Sequence, residues 1–491
     1  MSKTRDYLAF DLGAESGRAV LGRFDGSQLV LEELHRFPNG PVTFRGTMHW
    51  DVLRMFEELR AGLAKAHSAT DGQLSGVGVD TWGVDFALLD DTGQLVGNPV
   101  HYRDKRTDGV PEKLFEIVPK REVYELTGIQ FMQINTLFQI YSTVVAQSPQ
   151  LRAASTLLLM AGLMNYFLCG AKVAEFTLAT TTQMYNPRTH AWAQPLLDRV
   201  EIPSKILPEI VPPGTVLDNL DGALWSGNPV PVIAPACHDT GAAVAAVPAR
   251  GENWAYLSCG TWSLLGLEVP EPIITDDSYR YDITNEGGVN NTFRFLKNIT
   301  GLWLLQASRK KWIDDGNDIS YAEITREARS SPPFVSLVDP DDTRFLAPSD
   351  MPKEIRGFCR ETGQPVPEEQ GALARCVLES LALKCRFQLE RLQKIAGRET
   401  DVLHMVGGGI QNKLLCQMVS SATKVPVVAG PVEATAAGNI LVQLMATGQV
   451  ASIAEGRQLI GSSFPMEAYE PQEPDVWDDA YAQFLPLVEK E

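Results

Sequence analysis

The feature that most restricts the fold of this chain is a strand–turn–strand pattern that occurs twice, once at the start of each half. The apolar run 7–10 leads into an acidic, glycine-containing turn at 11–17, and residues 18–24 predict a returning strand. The pattern returns at 254–258, with a turn at 259–261 and a second returning strand after it. Identity between the two segments is too slight to count as a repeat, but their match predicts a duplicated architecture.

Strands and helices alternate through the rest of the chain, which predicts α/β domains with partly parallel sheets. A helix is expected at 50–67, where Leu53, Phe56, Leu59 and Leu63 form one apolar stripe. Further strands are expected at 28–37, 75–80, 84–89, 156–160, 230–234, 402–406 and 425–428, and further helices at 162–168, at 368–395, from 411 and from 435.

Length and charge limit the possible functions. The 491 residues have room for two or three domains, and the irregular stretch 246–251 predicts a domain boundary. The formal net charge of −18 argues against a nucleic acid or an acidic membrane as partner, since phosphate groups in such partners require basic patches. No apolar run reaches the roughly 18 residues that span a bilayer, and no signal-peptide pattern opens the chain. A cytoplasmic protein is therefore expected.

The seven cysteines are scattered, without a CxxC or a Cys/His cluster, so a structural zinc site is not expected. Cys359 and Cys376 flank a short polar stretch, and a disulfide between them is geometrically possible. Two reduced thiols are the preferred interpretation for a cytosolic protein.

Both hairpin turns are candidates for binding phosphate. Small residues in a turn let backbone N–H groups approach phosphate oxygens, and a carboxylate beside it, here Asp11, can hold a magnesium ion through water. No helix follows the glycines of the first turn, so it is neither a P-loop nor a dinucleotide-binding turn. A plain hairpin explains either turn alone, but two such turns facing each other across a cleft would hold a nucleotide from both sides.

Asp239 lies between a predicted strand and a predicted helix, in the sequence Cys-His-Asp-Thr-Gly at 237–241. A carboxylate beside a sugar hydroxyl can accept its proton during phosphoryl transfer. An aspartate in this place can equally cap the helix that begins at Thr240. The tripeptide alone does not decide between a general base and a helix cap, and His238 alone is more typical of a structural histidine.

Two further segments contain unusual residues for their predicted structure. A tight strand-to-helix turn needs one or two glycines, so the third glycine at 407–409 indicates room for a flat ligand such as adenine. The segment 80–86, Asp-Thr-Trp-Gly-Val-Asp-Phe, places polar groups and an aromatic ring at strand ends. Its simpler interpretation is a buried Trp82 with hydrogen-bonded acids.

From residue 11 to about residue 443, these motifs together resemble the FGGY carbohydrate kinases. The segments most specific to that family are 80–86, 102–104, 238–240, 285–288 (Asn-Glu-Gly-Gly), 297–299, 301–306 and 429–435. The resemblance implies two α/β domains of the actin-like, ribonuclease H-like type with a cleft between them. They are an N-terminal sugar-binding domain at 1–248 and a C-terminal nucleotide-binding domain at 249–491.

The resemblance also implies a reaction, in which the γ-phosphate of Mg-ATP passes to the 1-hydroxyl of L-rhamnulose. Two alternatives stay open: a kinase of the same family for another ketose, such as L-fuculose, or a polyol, and a non-catalytic actin-like ATP-binding regulator. The expected partners are the sugar and ATP, with Mg²⁺ as cofactor. No nucleic acid, membrane or obligate protein partner is expected.

Carried over motif by motif, the resemblance makes Asp239 the proton acceptor and Asp11 an indirect magnesium anchor. The expected ketose contacts are Gly83, His238, Asp239, Thr240 and Asn298. The expected ATP contacts are Ala14, Glu15, Ser16, Gly17, Arg18, Thr261, Gln306 and Gly408.

Two positions depart from the pattern of the family. Ala161-Gly162 stands where Pro-Asp is expected, and Cys259 stands where a serine is expected beside the second turn. A thiol is a poorer hydrogen-bond donor than a hydroxyl, so a modest effect on ATP affinity is expected. The methyl group of a deoxysugar needs an apolar wall, to which Trp82 or Phe131 is expected to contribute.

Overall fold

The computed structural model describes residues 4–489, which form alternating strands and helices. The strands are β1 (Arg5–Leu12), β2 (Ser16–Phe24), β3 (Leu29–Pro38), β4 (Pro41–Phe44), β5 (Thr47–Trp50), β6 (Gly76–Thr81), β7 (Phe86–Leu89), β8 (Thr156–Leu159), β9 (Val173–Glu175), β10 (Tyr185–Asn186), β11 (Ala191–Trp192), β12 (Glu209–Val211), β13 (Thr215–Asn219), β14 (Pro231–Ala234), β15 (Trp254–Cys259), β16 (Trp262–Val269), β17 (Thr284–Gly287), β18 (Phe293–Thr300), β19 (Val402–Val406), β20 (Val427–Ala429) and β21 (Glu467–Tyr469). The helices are α1 (Val52–Ala69), α2 (Val110–Phe115), α3 (Lys120–Thr127), α4 (Thr136–Val145), α5 (Pro149–Ala153), α6 (Met160–Cys169), α7 (Phe176–Thr181), α8 (Gln194–Arg199), α9 (Asp239–Ala245), α10 (Asp276–Arg280), α11 (Trp303–Asp314), α12 (Tyr321–Ser330), α13 (Met351–Glu361), α14 (Gln370–Ala396), α15 (Lys413–Thr423), α16 (Ala434–Ala446), α17 (Ile453–Ser463) and α18 (Pro474–Val488).

The chain forms two compact units. The first contains the residues up to Pro248 together with Glu268–Phe295 and Ala434–Phe464. The second contains Ala249–Leu267, Leu296–Glu433 and the residues from Pro465 onward. Two segments that follow residue 249 in the chain thus belong to the first unit, and one of them carries side chains of the candidate site described below.

The first unit is built on a six-stranded sheet in the order β13-β14-β6-β1-β2-β3. β1 pairs antiparallel with β2 and parallel with β6, which in turn pairs parallel with β14. The last six residues of β1 are all buried, as expected of a strand covered on both faces. The pairing aligns Asp11 with Arg18 on one side and with Asp80 on the other, so charged residues of three strands meet at one edge of the sheet.

The second unit is built on strands in the order β18-β16-β15-β19-β20-β21. β15 pairs antiparallel with β16 and parallel with β19, β19 pairs parallel with β20, and β20 pairs antiparallel with β21. The first unit contains the matching arrangement β2-β1-β6-β14-β13, in which each pair of neighbours has the same relative direction as in β16-β15-β19-β20-β21. The matching topologies agree with the predicted duplication, and the mixed α/β fold class is confirmed.

Helix α1 buries a slightly different face from the one predicted. Leu59 and Leu63 are buried as expected, but Leu53 is 58% exposed. The buried face is formed by Val52, Met55, Leu59, Gly62, Leu63 and Ala66. The first turn carries apolar side chains at four positions, 52, 53, 55 and 56. Two faces of the helix are therefore compatible with a period of 3.6 residues, and the periodicity alone does not choose between them.

No helix within residues 4–489 combines the length and the apolar composition that a bilayer crossing requires.

All seven cysteines are free thiols. Cys359 and Cys376 are buried, and neither is part of a disulfide. The structure therefore shows this pair in the reduced form that the sequence interpretation preferred.

Candidate functional site

Asp239 begins a short helix in the first unit rather than capping it. The first residue of α9 is Asp239 and its N-cap is His238, with no side-chain cap hydrogen bond. The Oδ1 atom of Asp239 accepts hydrogen bonds from the backbone N–H (2.5 Å) and the hydroxyl (3.2 Å) of Thr240. The Asp239 side chain is 32% exposed. The carboxylate is thus held in one orientation and is open to a ligand, as a general base requires.

His238 and Gly83 lie beside Asp239. The Nε2 atom of the buried His238 is 3.4 Å from Asp239 Oδ1. A Cβ atom added to Gly83 would lie 3.4 Å from the same Nε2 atom and 3.2 Å from the hydroxyl of Thr181. Four of the five predicted ketose contacts, Gly83, His238, Asp239 and Thr240, are therefore brought together in the first unit.

The turn that carries Gly83 has a strained backbone. Val84 has a φ of +69°, which is an outlier for a β-branched residue. Its carbonyl oxygen accepts hydrogen bonds from Thr136 Oγ1 (2.6 Å) and Gln139 Nε2 (3.2 Å), and its N–H donates to Thr181 Oγ1 (3.4 Å). Strain of this kind costs about 1–3 kcal/mol and is concentrated at ligand sites. It supports a functional role for the turn.

A buried hydrogen-bond network around Asp85 fixes the same turn. Asp85 Oδ2 accepts from the indole Nε1 atoms of Trp50 (2.5 Å) and Trp82 (3.0 Å), and Oδ1 accepts from Gln139 Nε2 (3.1 Å). Burial raises the pKa of Asp85 to about 6, and these hydrogen bonds oppose the shift. The interpretation of a buried Trp82 with a hydrogen-bonded acid is confirmed.

Glu175 supports the other side of the site, although no pattern in the sequence indicated it. Its carboxylate accepts hydrogen bonds from the backbone N–H groups of Cys237 (3.0 Å) and Thr177 (2.9 Å) and from the hydroxyl of Thr177 (2.6 Å). Thr177 Oγ1 in turn accepts from the N–H of His238 (3.0 Å). Burial raises the pKa of Glu175 to about 7. A glutamate at the end of a three-residue strand gives no sequence signal for partners so distant along the chain.

Asp11 and Asp80 lie on neighbouring strands at the sheet edge. Asp11 is ion-paired with Arg18, and Asp80 accepts a hydrogen bond from Asn439 Nδ2 (2.6 Å). Burial, followed by the charge of Asp11, raises the pKa of Asp80 well above its ordinary value. Across residues 4–489 no three His, Cys, Asp or Glu side chains are arranged to hold a metal directly. Asp11 fits a hydrated Mg²⁺, which keeps several waters and needs only one or two carboxylates, whereas Asp80 is fully buried.

The second unit contains a pocket with a volume of about 700 Å³. Three residues that were predicted to contact ATP, Thr261, Gln306 and Gly408, all line this pocket. Two cations outside the predicted set, Arg329 and Lys413, also line it and are suited to an anionic ligand. The volume is within the range typical of small-molecule sites, about 300–1,000 Å³.

The three glycines at 407–409 have three different structural roles. Gly407 has a φ of +88°, which favours glycine. A Cβ atom added to Gly409 would lie 2.8 Å from the carbonyl oxygen of Cys259 and closer still to its sulfur. A Cβ atom added to Gly408 would meet nothing within 4 Å. Because Gly408 lines the pocket, it is the glycine whose missing side chain leaves space for a ligand.

We expect Gly408→Ala to weaken nucleotide binding without destabilising the fold, because the added methyl group occupies only pocket volume. The affinity for ADP, measured by calorimetry, should fall by about 10-fold or more, the effect of one misplaced carbon in a tight pocket. Gly409→Ala is the contrasting variant, since its methyl group collides with Cys259 and should lower the melting temperature. Unchanged ADP affinity in Gly408→Ala would show that the ligand does not approach this backbone.

All of the predicted ketose and ATP contacts stay predictions, including those of the turn at 14–18 and of Asn298. The turn residues 14–18 belong to the first unit, where Asn39 holds the turn through hydrogen bonds to the carbonyl oxygens of Gly13 (2.7 Å) and Glu15 (3.0 Å). Asn298 is half-buried on the part of β18 that belongs to the second unit.

The two departures from the family pattern have local structural explanations. Burial raises the pKa of Cys259 to about 11, and its sulfur lies against Gly409, which lines the pocket, while Cys259 itself does not line it. Its effect on ATP affinity should therefore be indirect. Gly162 lies in α6, where an added Cβ would be 2.9 Å from the carbonyl oxygen of Val173. The glycine permits this close approach of helix and strand.

Two family models match the chain. The model described as the N-terminal domain of the FGGY family of carbohydrate kinases matches residues 6–246. The model described as the C-terminal domain of the same family matches residues 255–447. The two matches include Asp239 and the pocket residues Thr261, Gln306 and Gly408.

Proteins described as rhamnulokinases are similar to nearly the whole chain. The relative from Bacteroides thetaiotaomicron is 44% identical over 487 residues, 99% of each chain. The relative from Enterococcus faecalis is 41% identical over 472 residues, 95% of this chain and 94% of that one. A solved structure of ligand-bound xylulose kinase from Lactobacillus acidophilus has a TM-score of 0.83 at 15% identity, covering 98% of this chain and 97% of that one. This likeness confirms the expected fold of two actin-like, ribonuclease H-like domains.

Proposed function

Because the chain belongs to the FGGY family of carbohydrate kinases, we propose that it transfers the γ-phosphate of ATP to the 1-hydroxyl of L-rhamnulose. The products are L-rhamnulose 1-phosphate and ADP, and the reaction serves the breakdown of L-rhamnose. The proposal rests on the sequence identity of 41–44% between nearly the whole of this chain and proteins described as rhamnulokinases. The alternative of a non-catalytic regulator is not favoured, since it gives Asp239 no role.

Asp239 is the general base of the proposed reaction. Its Oδ1 atom is held by Thr240, which leaves the second carboxylate oxygen to accept the proton of the 1-hydroxyl. The oxygen of the 1-hydroxyl forms the new bond to the γ-phosphorus, while the bond between that phosphorus and the leaving oxygen of ADP breaks. Gly83, His238, Thr240 and Asn298 contact the ketose. General-base assistance of this kind contributes about 10²–10⁴-fold to the rate.

ATP is bound through the pocket that Thr261, Gln306 and Gly408 line in the second unit, with the turn residues 14–18 contributing phosphate contacts. Asp11 would hold a magnesium ion through water. When bound, this ion neutralises charge on the transferring phosphoryl group. We propose the cytoplasm, where ATP is available, as the place of action.

Of the two candidates for the apolar wall beside the sugar's methyl group, Phe131 gives the cleaner test. Trp82 also holds Asp85, so its replacement would disturb the turn at Gly83. Phe131 is partly buried, and Lys120 Nζ lies 4.7 Å from its ring centroid.

We expect Phe131→Ala to raise the KM for L-rhamnulose more than the KM for a ketose without the methyl group. Phe131→Leu, which keeps apolar bulk, should have a smaller effect. Equal losses for both sugars would refute the assignment.

The position of the phosphate in the product tests the proposed reaction. The protein is incubated with Mg-ATP and L-rhamnulose, and the product is examined by phosphorus NMR. Transfer to the 1-hydroxyl gives a phosphorus signal that couples to the two protons of the C1 methylene group. Coupling to a single proton would mean that another hydroxyl is the acceptor. The absence of any sugar phosphate would reject the proposed substrate.

A further inference from the structure

The segment Asn-Glu-Gly-Gly at 285–288 is one of the motifs that carry the family resemblance, yet the reaction described above gives it no role. Glu286 lies on β17, and its ion-pair partner Arg294 lies on the next strand, β18. The side chain of Arg294 is completely buried. Arg294 Nε donates to the carbonyl oxygen of Gly287 (2.8 Å), and Arg294 Nη2 lies 3.1 Å from Glu286 Oε2. A buried charge pair of this kind is costly to desolvate, so a functional reason for keeping it is expected.

Both members of this pair contact the ring of His238 on the side opposite Asp239. Arg294 Nη2 is 3.0 Å from His238 Nδ1, and Glu286 Oε2 is 3.4 Å from the same atom. On the other side of the ring, His238 Nε2 is 3.4 Å from Asp239 Oδ1. The charged groups that face the imidazole are therefore one guanidinium and two carboxylates, and all four residues belong to the first unit.

The partners at the two ring nitrogens lead to the same proton position. A guanidinium only donates hydrogen bonds and stays protonated in proteins, so the contact at 3.0 Å requires a lone pair on Nδ1. An ionised carboxylate only accepts, so Asp239, 3.4 Å from Nε2, is compatible with a proton on that atom. A neutral imidazole with its proton on Nε2 satisfies both contacts.

Glu286 alone would favour a proton on Nδ1, but the closer contact of Arg294 with Nδ1 favours a lone pair there and has the stronger effect. The distance from Nδ1 to Glu286 is 3.4 Å, against 3.0 Å to Arg294. Burial would raise the pKa of Glu286, but the charge of Arg294 holds it below its ordinary value. Glu286 is therefore the ionised counterion of Arg294. A proton on Nδ1 would place two donors against each other at 3.0 Å.

We propose that Arg294 is a positioning residue that holds His238 in the Nε2–H form, so that the ring presents a hydrogen-bond donor toward Asp239 and the ketose. This inference rests on the proposed function, because it gives His238 its role in binding the sugar. Glu286 balances the charge of Arg294, and the segment 285–288 places Glu286 there. Asn285 accepts a hydrogen bond from the N–H of Ile273 (2.6 Å), and the Gly287 N–H donates to Thr180 Oγ1 (2.7 Å).

The test is a measurement of the His238 tautomer by nitrogen NMR on protein with ¹⁵N-labelled histidine, at neutral pH and without ligands. The chain has seven histidines, and His238→Gln assigns the signal. We expect the wild-type signal to show a protonated Nε2 and an unprotonated Nδ1. A proton on Nδ1 in the wild-type protein would overturn the proposal. This readout needs no substrate, so it is independent of whether L-rhamnulose is phosphorylated.

Two variants test whether Arg294 sets the tautomer. Arg294→Gln combined with Glu286→Gln removes both charges together, so that neither remains buried and unpaired. We expect this variant to lose the Nε2–H form and to lower kcat/KM for the ketose by about 10–100-fold, the range for one hydrogen bond to a charged group, while the KM for ATP is unchanged. Arg294→Lys keeps a donor-only cation and should retain the tautomer. An unchanged tautomer in the double variant would show that Arg294 does not control it.

Discussion

Asp239→Asn is expected to lower kcat with L-rhamnulose by about 10²–10⁴-fold, the usual contribution of a general base. The amide is nearly isosteric, and its oxygen can still accept the hydrogen bonds that Thr240 donates to Asp239 Oδ1. What it loses is the ability to take a proton at neutral pH. The KM for ATP and the melting temperature should therefore change little. The comparison is made by coupled ADP release under saturating ATP.

A control must separate the loss of the base from the loss of a negative charge at a helix N-terminus, which stabilises a helix by about 0.3–1 kcal/mol. Asp475→Asn provides it, because Asp475 lies exposed in the first turn of α18. This control should keep full activity. If Asp239→Asn retained more than a tenth of the wild-type kcat, Asp239 would not be the general base.

Gly438→Ala is expected to destabilise the first unit by about 1–3 kcal/mol or more, the usual cost of overpacking. Gly438 lies in α16, and a Cβ added there would be 2.6 Å from the carbonyl carbon of Ala242 in α9, closer still to its oxygen. Both atoms belong to the backbone, so no side-chain rotation can relieve the collision. Because α9 begins with Asp239, the displacement should also lower kcat. Thermal unfolding and coupled ADP release measure the two effects.

The matched control is Gly357→Ala in the middle of α13. An added Cβ there meets nothing within 4 Å, and alanine is a better helix former than glycine by about 1 kcal/mol. Alanine at residue 357 should therefore leave the stability of the protein unchanged or raise it. Alanine at residue 438 should lower the stability. Equal melting temperatures for the two variants would mean that α9 and α16 are not packed as closely as the structure shows.

Much of the fold could be predicted because the signals are local. β1, β2, β15 and β16 follow from apolar runs interrupted by glycine-containing turns, and the structure has them within one or two residues of the expected positions. The face of α1 was less predictable. Leu53 is exposed while Val52 is buried, because the choice between neighbouring faces depends on the surface against which the helix packs.

The candidate site was predicted only where its residues are adjacent in the chain or share a motif. His238, Asp239 and Thr240 are consecutive, and Thr261, Gln306 and Gly408 came from the family resemblance. Whether Asp239 caps α9 depended on whether the helix begins at residue 239 or at residue 240, a difference that the sequence does not resolve.

The supporting residues were missed for a different reason. Arg294 contacts His238 from a position 56 residues away in the chain, and Glu175 contacts the backbone of Cys237 from 62 residues away. An arginine in an apolar strand gives no indication of its partner before the strands are assembled. Such contacts depend on the tertiary fold and not on local pattern.

The proposed kinase activity and its substrate are tested together by the rate of ADP release with Mg-ATP and a panel of acceptors. The panel contains L-rhamnulose, L-fuculose, D-xylulose, L-ribulose, glycerol and a reaction without sugar. We predict that kcat/KM is highest for L-rhamnulose and that release without sugar is negligible by comparison. A higher kcat/KM for another sugar would contradict the proposed substrate while leaving the kinase assignment intact. ADP release that no sugar stimulates would contradict the proposed catalytic function itself.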